Sequence, residues 1–168
     1  MEDEEAMKVS ARRKLSHVSE AGPVRMVDVG AKPVTVRTAR AAARVRLGPV
    51  IARALRQTGA VAKGNVMETA RIAGILAAKR SHELIPLCHP LLLDVVQVDL
   101  ELEGDDLRIE STVKCRGRTG AEMEAMTAVA VEALTVYDMV KSAGRGVVIT
   151  DIRLLAKAGG KSGRWRAG

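Results

Sequence analysis

The sequence predicts an α+β fold, with an antiparallel sheet that carries its helices on one face. Two observations lead to this prediction. Several segments alternate apolar and polar residues, as half-buried strands do, and two longer segments have helical periodicity that begins at capping residues. The chain has 168 residues, of which 47% are hydrophobic and 28% charged. This is the balance of a globular protein, and one domain is the default for its length.

The first strand is predicted over residues 39–47, where alanine, valine and leucine alternate with more polar positions. Its outward-facing arginines are Arg40, Arg44 and Arg46. Gly48 and Pro49 end the strand, and a short helix to about Arg56 follows. Asn65 precedes Glu68 by three residues, which is the spacing of a helix N-cap with a reciprocal carboxylate. A helix is therefore predicted over residues 66–80.

Two further alternating segments, residues 96–103 and 107–115, are separated by a Gly-Asp-Asp turn and predict a hairpin with one wet face. Thr119 and Glu122 have the spacing of a capping box, so a long helix is predicted from there to about Ser142, closed by Gly144. A final strand is predicted over residues 147–157. The resulting order, β-α-β-β-α-β, is that of the ferredoxin-like fold, with helices on one face of the sheet.

The predicted domain spans residues 15–163. Residues 1–14 pass from acidic to basic without an apolar stretch, which indicates a disordered tail and not a signal peptide. Residues 164–168 are predicted to form a short basic tail. No apolar run approaches the roughly 18 residues of a membrane span, so we expect a cytoplasmic protein that does not contact membranes.

Charge is unevenly distributed along the chain. The net charge is +7, and no acidic residue occurs between Asp28 and Glu68. A basic surface of this kind suits a polyanion, either nucleic acid or a phosphorylated metabolite. Tyr137 and Trp165 are the only aromatic residues, which argues against single-stranded nucleic acid, whose bases usually stack on aromatic rings. The alternative of a non-enzymatic module that binds nucleotides or nucleic acid through the arginines of the first strand stays open.

The segment LIPLCHP, residues 84–90, is the first candidate for chemistry. Two prolines stiffen the loop around Cys88 and His89, which suits an imidazole that must meet a ligand in a fixed geometry. From these residues alone, a buried turn with a hydrogen-bonded histidine is the favoured explanation of the segment. A cysteine nucleophile is disfavoured, because adjacent cysteine and histidine do not easily form a nucleophile–base pair.

The long helix is the second candidate. Asp138 and Lys141 are three residues apart and should form either an ordinary ion pair or an acid/base pair. Glu124 lies on a similar face but 14 residues earlier, which separates it from Asp138 by roughly 21 Å along the helix. The two carboxylates therefore cannot act as a pair within one site. If both are functional, they serve distant ends of a large ligand, or sites that another subunit completes.

The glycine-rich segment GGKSG, residues 159–163, resembles the end of a phosphate-binding P-loop. The earlier glycine of that motif is replaced by Leu155, and too few residues follow for a helix, so the P-loop interpretation fails. Lys161 on this segment could still fold over an anion. Histidine and cysteine are too few and too poorly spaced for a metal site, so no metal and no cofactor are predicted, and a magnesium requirement stays open.

Together, IPLCHP, EMEAMTA, YDM and LLAKAGGKSG resemble the molybdenum-cofactor biosynthesis protein C (MoaC) family of cyclic pyranopterin monophosphate synthases. The resemblance covers nearly all of residues 15–163. It implies a lyase that converts 3′,8-cyclo-7,8-dihydroguanosine 5′-triphosphate into cyclic pyranopterin monophosphate and pyrophosphate. It also implies a ferredoxin-like fold and a homohexamer, a trimer of dimers, whose active sites lie between subunits.

The resemblance also implies roles for individual residues. Asp138 and Lys141 match catalytic positions of the family. The positions that match substrate-binding residues are Leu87, Cys88, His89, Met123, Glu124, Glu122, Lys63 and Lys157. Three positions depart from the family pattern, namely Ser19, Asn65 and Val140. Because of these departures, an inactive partner of a true synthase is a third interpretation.

Overall fold

The computed structural model describes residues 24–168. Residues 1–14, predicted as a tail, and Ser19 lie outside the described part. The elements are β1 (Thr35–Arg46), α1 (Pro49–Thr58), β2 (Ala60–Val61), β3 (Gly64–Asn65), α2 (Val66–Lys79), α3 (Ser81–Leu84), β4 (Leu93–Glu103), β5 (Asp106–Gly117), α4 (Glu122–Val140), β6 (Val148–Ala158) and β7 (Arg164–Arg166). Within residues 24–168, no helix is both long and apolar enough to cross a membrane.

The main sheet has the strand order β4-β5-β1-β6-β7, and all neighbouring strands are antiparallel. The hairpin β4–β5 lies beside β1, and β6 lies on the other side of β1. This is the ferredoxin-like arrangement, so the predicted α+β fold class is confirmed. Residues 164–166, predicted as part of a short basic tail, instead extend the sheet as β7, since Trp165 lies opposite Lys157.

The core lies between the sheet and its helices. Small and branched side chains fill it, including Ala39, Ala41, Ala43 and Val45 of β1 and Leu107, Ile109, Val113 and Cys115 of β5. Helix α4 packs against β1, β5, β6 and α2, and its alanines let it lie close to the sheet. Because α4 runs the length of this layer, it fixes the side chains at its two ends at opposite sides of the molecule.

The N-cap of α2 is confirmed. The backbone N–H of Glu68 donates to Asn65 Oδ1 at 3.0 Å, which satisfies a free amide of the first turn. The Glu68 carboxylate pairs with Arg71 and does not provide the predicted reciprocal cap. Asn65, a departure from the family pattern, therefore still performs the capping role expected of it.

The capping box predicted at the start of α4 is wrong. The N-cap is Ala121, no side chain caps the helix there, and the helix ends at Val140, with Lys141 as its C-cap. Glu122 instead accepts a hydrogen bond from Lys157 of β6 at 2.7 Å. Its carboxylate lies over Gly120, where a Cβ atom would collide with it. A long-range ion pair has thus replaced the local cap.

The arginines of β1 do not form an open cationic row. Arg40 pairs with Glu110 at 2.8 Å, and Arg44 pairs with Glu103 at 2.8 Å and Asp106 at 3.1 Å. These carboxylates belong to the neighbouring hairpin, so the outer face of the sheet is locally balanced in charge. Partly exposed pairs of this kind add little to stability, but they reduce the attraction of this face for a polyanion.

Candidate active site

A cleft of about 900 Å³ opens between the LIPLCHP loop, the N-terminal end of α4 and the end of β6. It brings together residues that are distant in sequence. Seven of the positions predicted to bind substrate line it, namely Leu87, Cys88, His89, Glu122, Met123, Glu124 and Lys157. Lys157 of β6 lies opposite the buried Ala39 of β1, so its side chain is on the face of the sheet that α4 covers. There it reaches Glu122 at the start of α4.

The cleft is rich in cations. Besides Lys157, it is lined by Lys32, Arg37, Arg118 and Lys161. Arg37 and Arg118 were not predicted as site residues. One signal for Arg37 was present in the sequence. Residues two apart on a strand lie on the same face, so Arg37 is on the same face as the buried Ala39 and Ala41. An arginine in an inward register needs polar partners, which points to a site at that end of the strand.

Glu122 and Lys157 form an ion pair inside the cleft, with 2.7 Å between Lys157 Nζ and Glu122 Oε1. Both side chains are partly exposed, Lys157 by 36% and Glu122 by 27%, so a ligand in the cleft can reach them. An anionic ligand would compete with Glu122 for the ammonium group. The pair can thus hold Lys157 in place until a phosphate group reaches it.

Glu124 has the chemistry of an acid/base group. Its residue is only 4% exposed, and burial raises the pKa of its carboxyl to about 7, with the nearby charge of Glu122 adding to the rise. A carboxyl with a pKa near neutrality can both accept and donate a proton under physiological conditions. Burial also raises the pKa of the Cys88 thiol, which agrees with the expectation that Cys88 is not a nucleophile.

A second group of charged residues, the Asp138 cluster, lies at the other end of α4. It consists of Lys63, Asp138 and Lys141. Lys141 Nζ lies 2.7 Å from Asp138 Oδ1, and Lys63 Nζ lies 3.0 Å from Oδ2 while also donating to the Asp138 carbonyl at 2.8 Å. The hydrogen bonds from Lys141 and Lys63 lower the pKa of Asp138, so this carboxylate is ionised at neutral pH. The predicted neighbourhood of Asp138 and Lys141 is present.

The cleft and the Asp138 cluster are separate within one chain. Glu122 begins α4 and Asp138 lies near its end, so about 24 Å of helix separates them. Lys63, expected among the substrate-binding residues, lies with Asp138 and not in the cleft. Among residues 24–168, no group of three or more His, Cys, Asp or Glu side chains is placed to hold a metal ion.

The fold and the cleft define a class of protein: a ferredoxin-like protein with a cationic cleft that also holds carboxylates. Comparison with known sequences agrees with this class. Residues 26–160 match the MoaC family, and the chain therefore belongs to the MoaC family, as its motifs suggested.

Individual relatives are similar over most of their length. A protein named cyclic pyranopterin monophosphate synthase from Streptomyces avermitilis is 56% identical over 155 residues, which cover 92% of this chain and 91% of the relative. One of the same name from Parvibaculum lavamentivorans is 52% identical, covering 94% and 99%. Cyclic pyranopterin monophosphate synthase 3 of Mycobacterium tuberculosis is 56% identical, covering 90% and 86%.

Proposed function

We propose that this protein is a cyclic pyranopterin monophosphate synthase of molybdenum-cofactor biosynthesis. Its substrate would be 3′,8-cyclo-7,8-dihydroguanosine 5′-triphosphate, and its products cyclic pyranopterin monophosphate and pyrophosphate, which makes it a phosphorus–oxygen lyase. The observation that carries the proposal is the convergence of seven predicted substrate-binding residues on one cationic cleft. The names of its relatives in the MoaC family support the same activity.

The cleft has the charges that this reaction needs. A triphosphate requires several cations, and lysine and arginine side chains line the cleft. Opening and re-closing the purine-derived ring requires repeated proton transfers, for which Asp138 and Lys141 are the proposed pair and Glu124 and His89 of the cleft are further acid/base groups. Cyclisation onto the α-phosphate expels pyrophosphate, and Lys157 would stabilise the negative charge that leaves.

The Asp138 cluster would supply the second part of the site from a neighbouring protomer. Its separation from the cleft by about 24 Å prevents one chain from applying both groups to a small substrate. Asp138 is 58% exposed, and Leu134 and Tyr137 on the same helix expose apolar surface beside it. Exposed apolar side chains around a charged cluster suit an interface. The expected assembly is a homohexamer built as a trimer of dimers.

The alternative of a non-enzymatic nucleic-acid- or nucleotide-binding module receives no comparable support. It relied on Arg40, Arg44 and Arg46, and the first two are engaged with carboxylates of the hairpin. The relatives of this chain bear the name of an enzyme. The outer face of the sheet therefore gives no reason to prefer binding over catalysis.

The proposal predicts that the purified protein releases one pyrophosphate for each molecule of 3′,8-cyclo-7,8-dihydroguanosine 5′-triphosphate that it converts, because the α-phosphate is closed into a ring. Pyrophosphate and the pterin product are measured in parallel, with and without a metal chelator. GTP that has not been cyclised is the control substrate and should release nothing. Absence of pyrophosphate from the cyclised substrate would contradict the proposed function.

A further inference from the structure

Arg37 occupies an unusual place at the start of β1. Its guanidinium donates three hydrogen bonds to backbone carbonyls: Nε to Gly117 at 3.4 Å, Nη1 to Gly159 at 3.4 Å and Nη2 to Arg118 at 3.3 Å. Each bond is long, but the planar fork of arginine makes all three at once. One side chain thus joins the segment before α4 to the segment after β6, and both segments line the cleft.

The glycines of GGKSG pack directly against this guanidinium. Gly159 and Gly160 have φ angles of 104° and 70°, in the region that favours glycine. A Cβ atom at Gly160 would collide with Arg37 Nη1, and one at Gly159 would collide with the carbonyl oxygen of Val36. The need for glycine here follows from the close approach of the loop to Arg37, and not from a P-loop.

A second arginine extends this set of hydrogen bonds to a further segment of the chain. Arg118, whose carbonyl accepts from Arg37, donates from its own Nε to the carbonyl of Lys32 at 3.1 Å. Three segments that each contribute a cation to the cleft, at Lys32, Arg118 and Lys161, are therefore tied to one another by way of Arg37.

The guanidinium of Arg37 also makes the cleft electrostatically more favourable for an anionic ligand. Without the guanidinium, the carbonyl oxygens of Gly117, Arg118 and Gly159 would present the negative ends of their dipoles to the cleft. Those oxygens would repel a phosphate group, and the cations that bind it would no longer be held in fixed positions. Arg37 both neutralises the carbonyls and holds the loops together.

We propose that Arg37 is a positioning residue that clamps the 117–120 and 159–162 segments and so sets Arg118 and Lys161 to bind the phosphates of the substrate. It rests on the proposed function only in that the phosphorylated ligand is taken to be the substrate. Because Arg37 acts on phosphate binding and not on proton transfer, its loss should weaken affinity while leaving the chemical step nearly intact.

The variants Arg37→Gln and Arg37→Lys test this inference. Both are expected to raise KM for the cyclised substrate at least about tenfold, with kcat changed less than about threefold. Neither the neutral amide of glutamine nor the single point charge of lysine replaces the planar fork of arginine. Binding of inorganic triphosphate, measured by calorimetry, should weaken in parallel. Arg53→Gln, which removes the same charge from the exposed face of α1, is the matched control and should leave both values unchanged.

Gly160→Ala keeps Arg37 but places a Cβ atom where its guanidinium lies, and it should raise KM in the same way. A further measurement excludes a general loss of structure. Free guanidinium ion should partly restore triphosphate binding to Arg37→Ala, whereas it would not repair a misfolded loop. Unchanged KM and triphosphate binding in Arg37→Gln, or a loss confined to kcat, would overturn the inference. Arg37-dependent triphosphate binding in a wild-type protein without turnover would instead retain the inference and reject the proposed function.

Discussion

Replacing Asp138 by asparagine is expected to abolish turnover, lowering kcat by about 10²–10⁴-fold, which is the usual contribution of a positioned acid or base. The amide keeps the shape of the carboxylate but cannot accept a proton, and it loses the charge that holds Lys141 and Lys63 in place. The fold should persist, because Asp138 is mostly exposed and exposed ion pairs contribute little to stability. Pyrophosphate release measures the loss, and thermal unfolding checks the fold.

Asp105→Asn is a matched control, since it makes the same change at an exposed residue of the β4–β5 turn. It should leave kcat unchanged. Lys141→Ala should reproduce the inactivity of Asp138→Asn if the two residues work as a pair. A turnover near that of the wild type in Asp138→Asn would remove the Asp138 cluster from the mechanism.

The second large effect concerns stability and the buried carboxyl of Glu132. This residue is 0% exposed, and neither of its oxygens has a hydrogen-bond partner among residues 24–168. It lies where α4 meets α2, close to Gly74, whose missing side chain leaves room for it. Burial raises its pKa to about 8; the charge of Asp99 on β4 adds to the rise, and that of Arg71 on α2 opposes it.

The sign of the pH dependence follows from that pKa. The unfolded chain releases this proton near pH 4.5, whereas the folded chain holds it to about pH 8. The free energy of unfolding therefore falls as the pH rises between these values, by up to about 5 kcal/mol at roughly 1.4 kcal/mol per unit, and about 3 kcal/mol of this fall lies between pH 6 and pH 8. Urea unfolding of wild type and Glu132→Gln at pH 6 and pH 9, at one protein concentration, measures it.

Glu132→Gln retains the shape of the side chain and cannot ionise, so the part of the pH dependence due to Glu132 should disappear. Glu124, which also has a raised pKa, titrates in both proteins and cancels in the comparison. Equal losses of stability between pH 6 and pH 9 in the two proteins would show that Glu132 does not hold its proton in the folded state.

Much of the fold was predictable from local sequence patterns. The alternation in β1 and in the β4–β5 hairpin, and the cap at Asn65, depend on neighbouring residues, so the sequence contains the information directly. The box at Thr119 failed because Glu122 found a better partner in Lys157, 35 residues away. Strand β7 has only three residues, too few for any periodicity.

The site was predictable only in part. Its residues come from several elements, and their convergence followed from the family resemblance and not from any spacing. Arg37 and Glu132 each left a signal, because the first lies in the inward register of β1 and the second continues the buried series of Val129 and Val136 on α4. The partners of Arg37 lie up to 122 positions away, so its role could not be read from the chain alone.

The sharing of each active site between two protomers is tested most directly by complementation. Asp138→Asn and Glu124→Gln chains, each inactive alone, are co-expressed with different tags, and oligomers that carry both tags are purified. If the cleft of one protomer meets the Asp138 cluster of its neighbour, random pairing restores about a quarter of the wild-type sites. Mixed oligomers as inactive as either parent would contradict the account, because one chain would then have to supply both halves of the site.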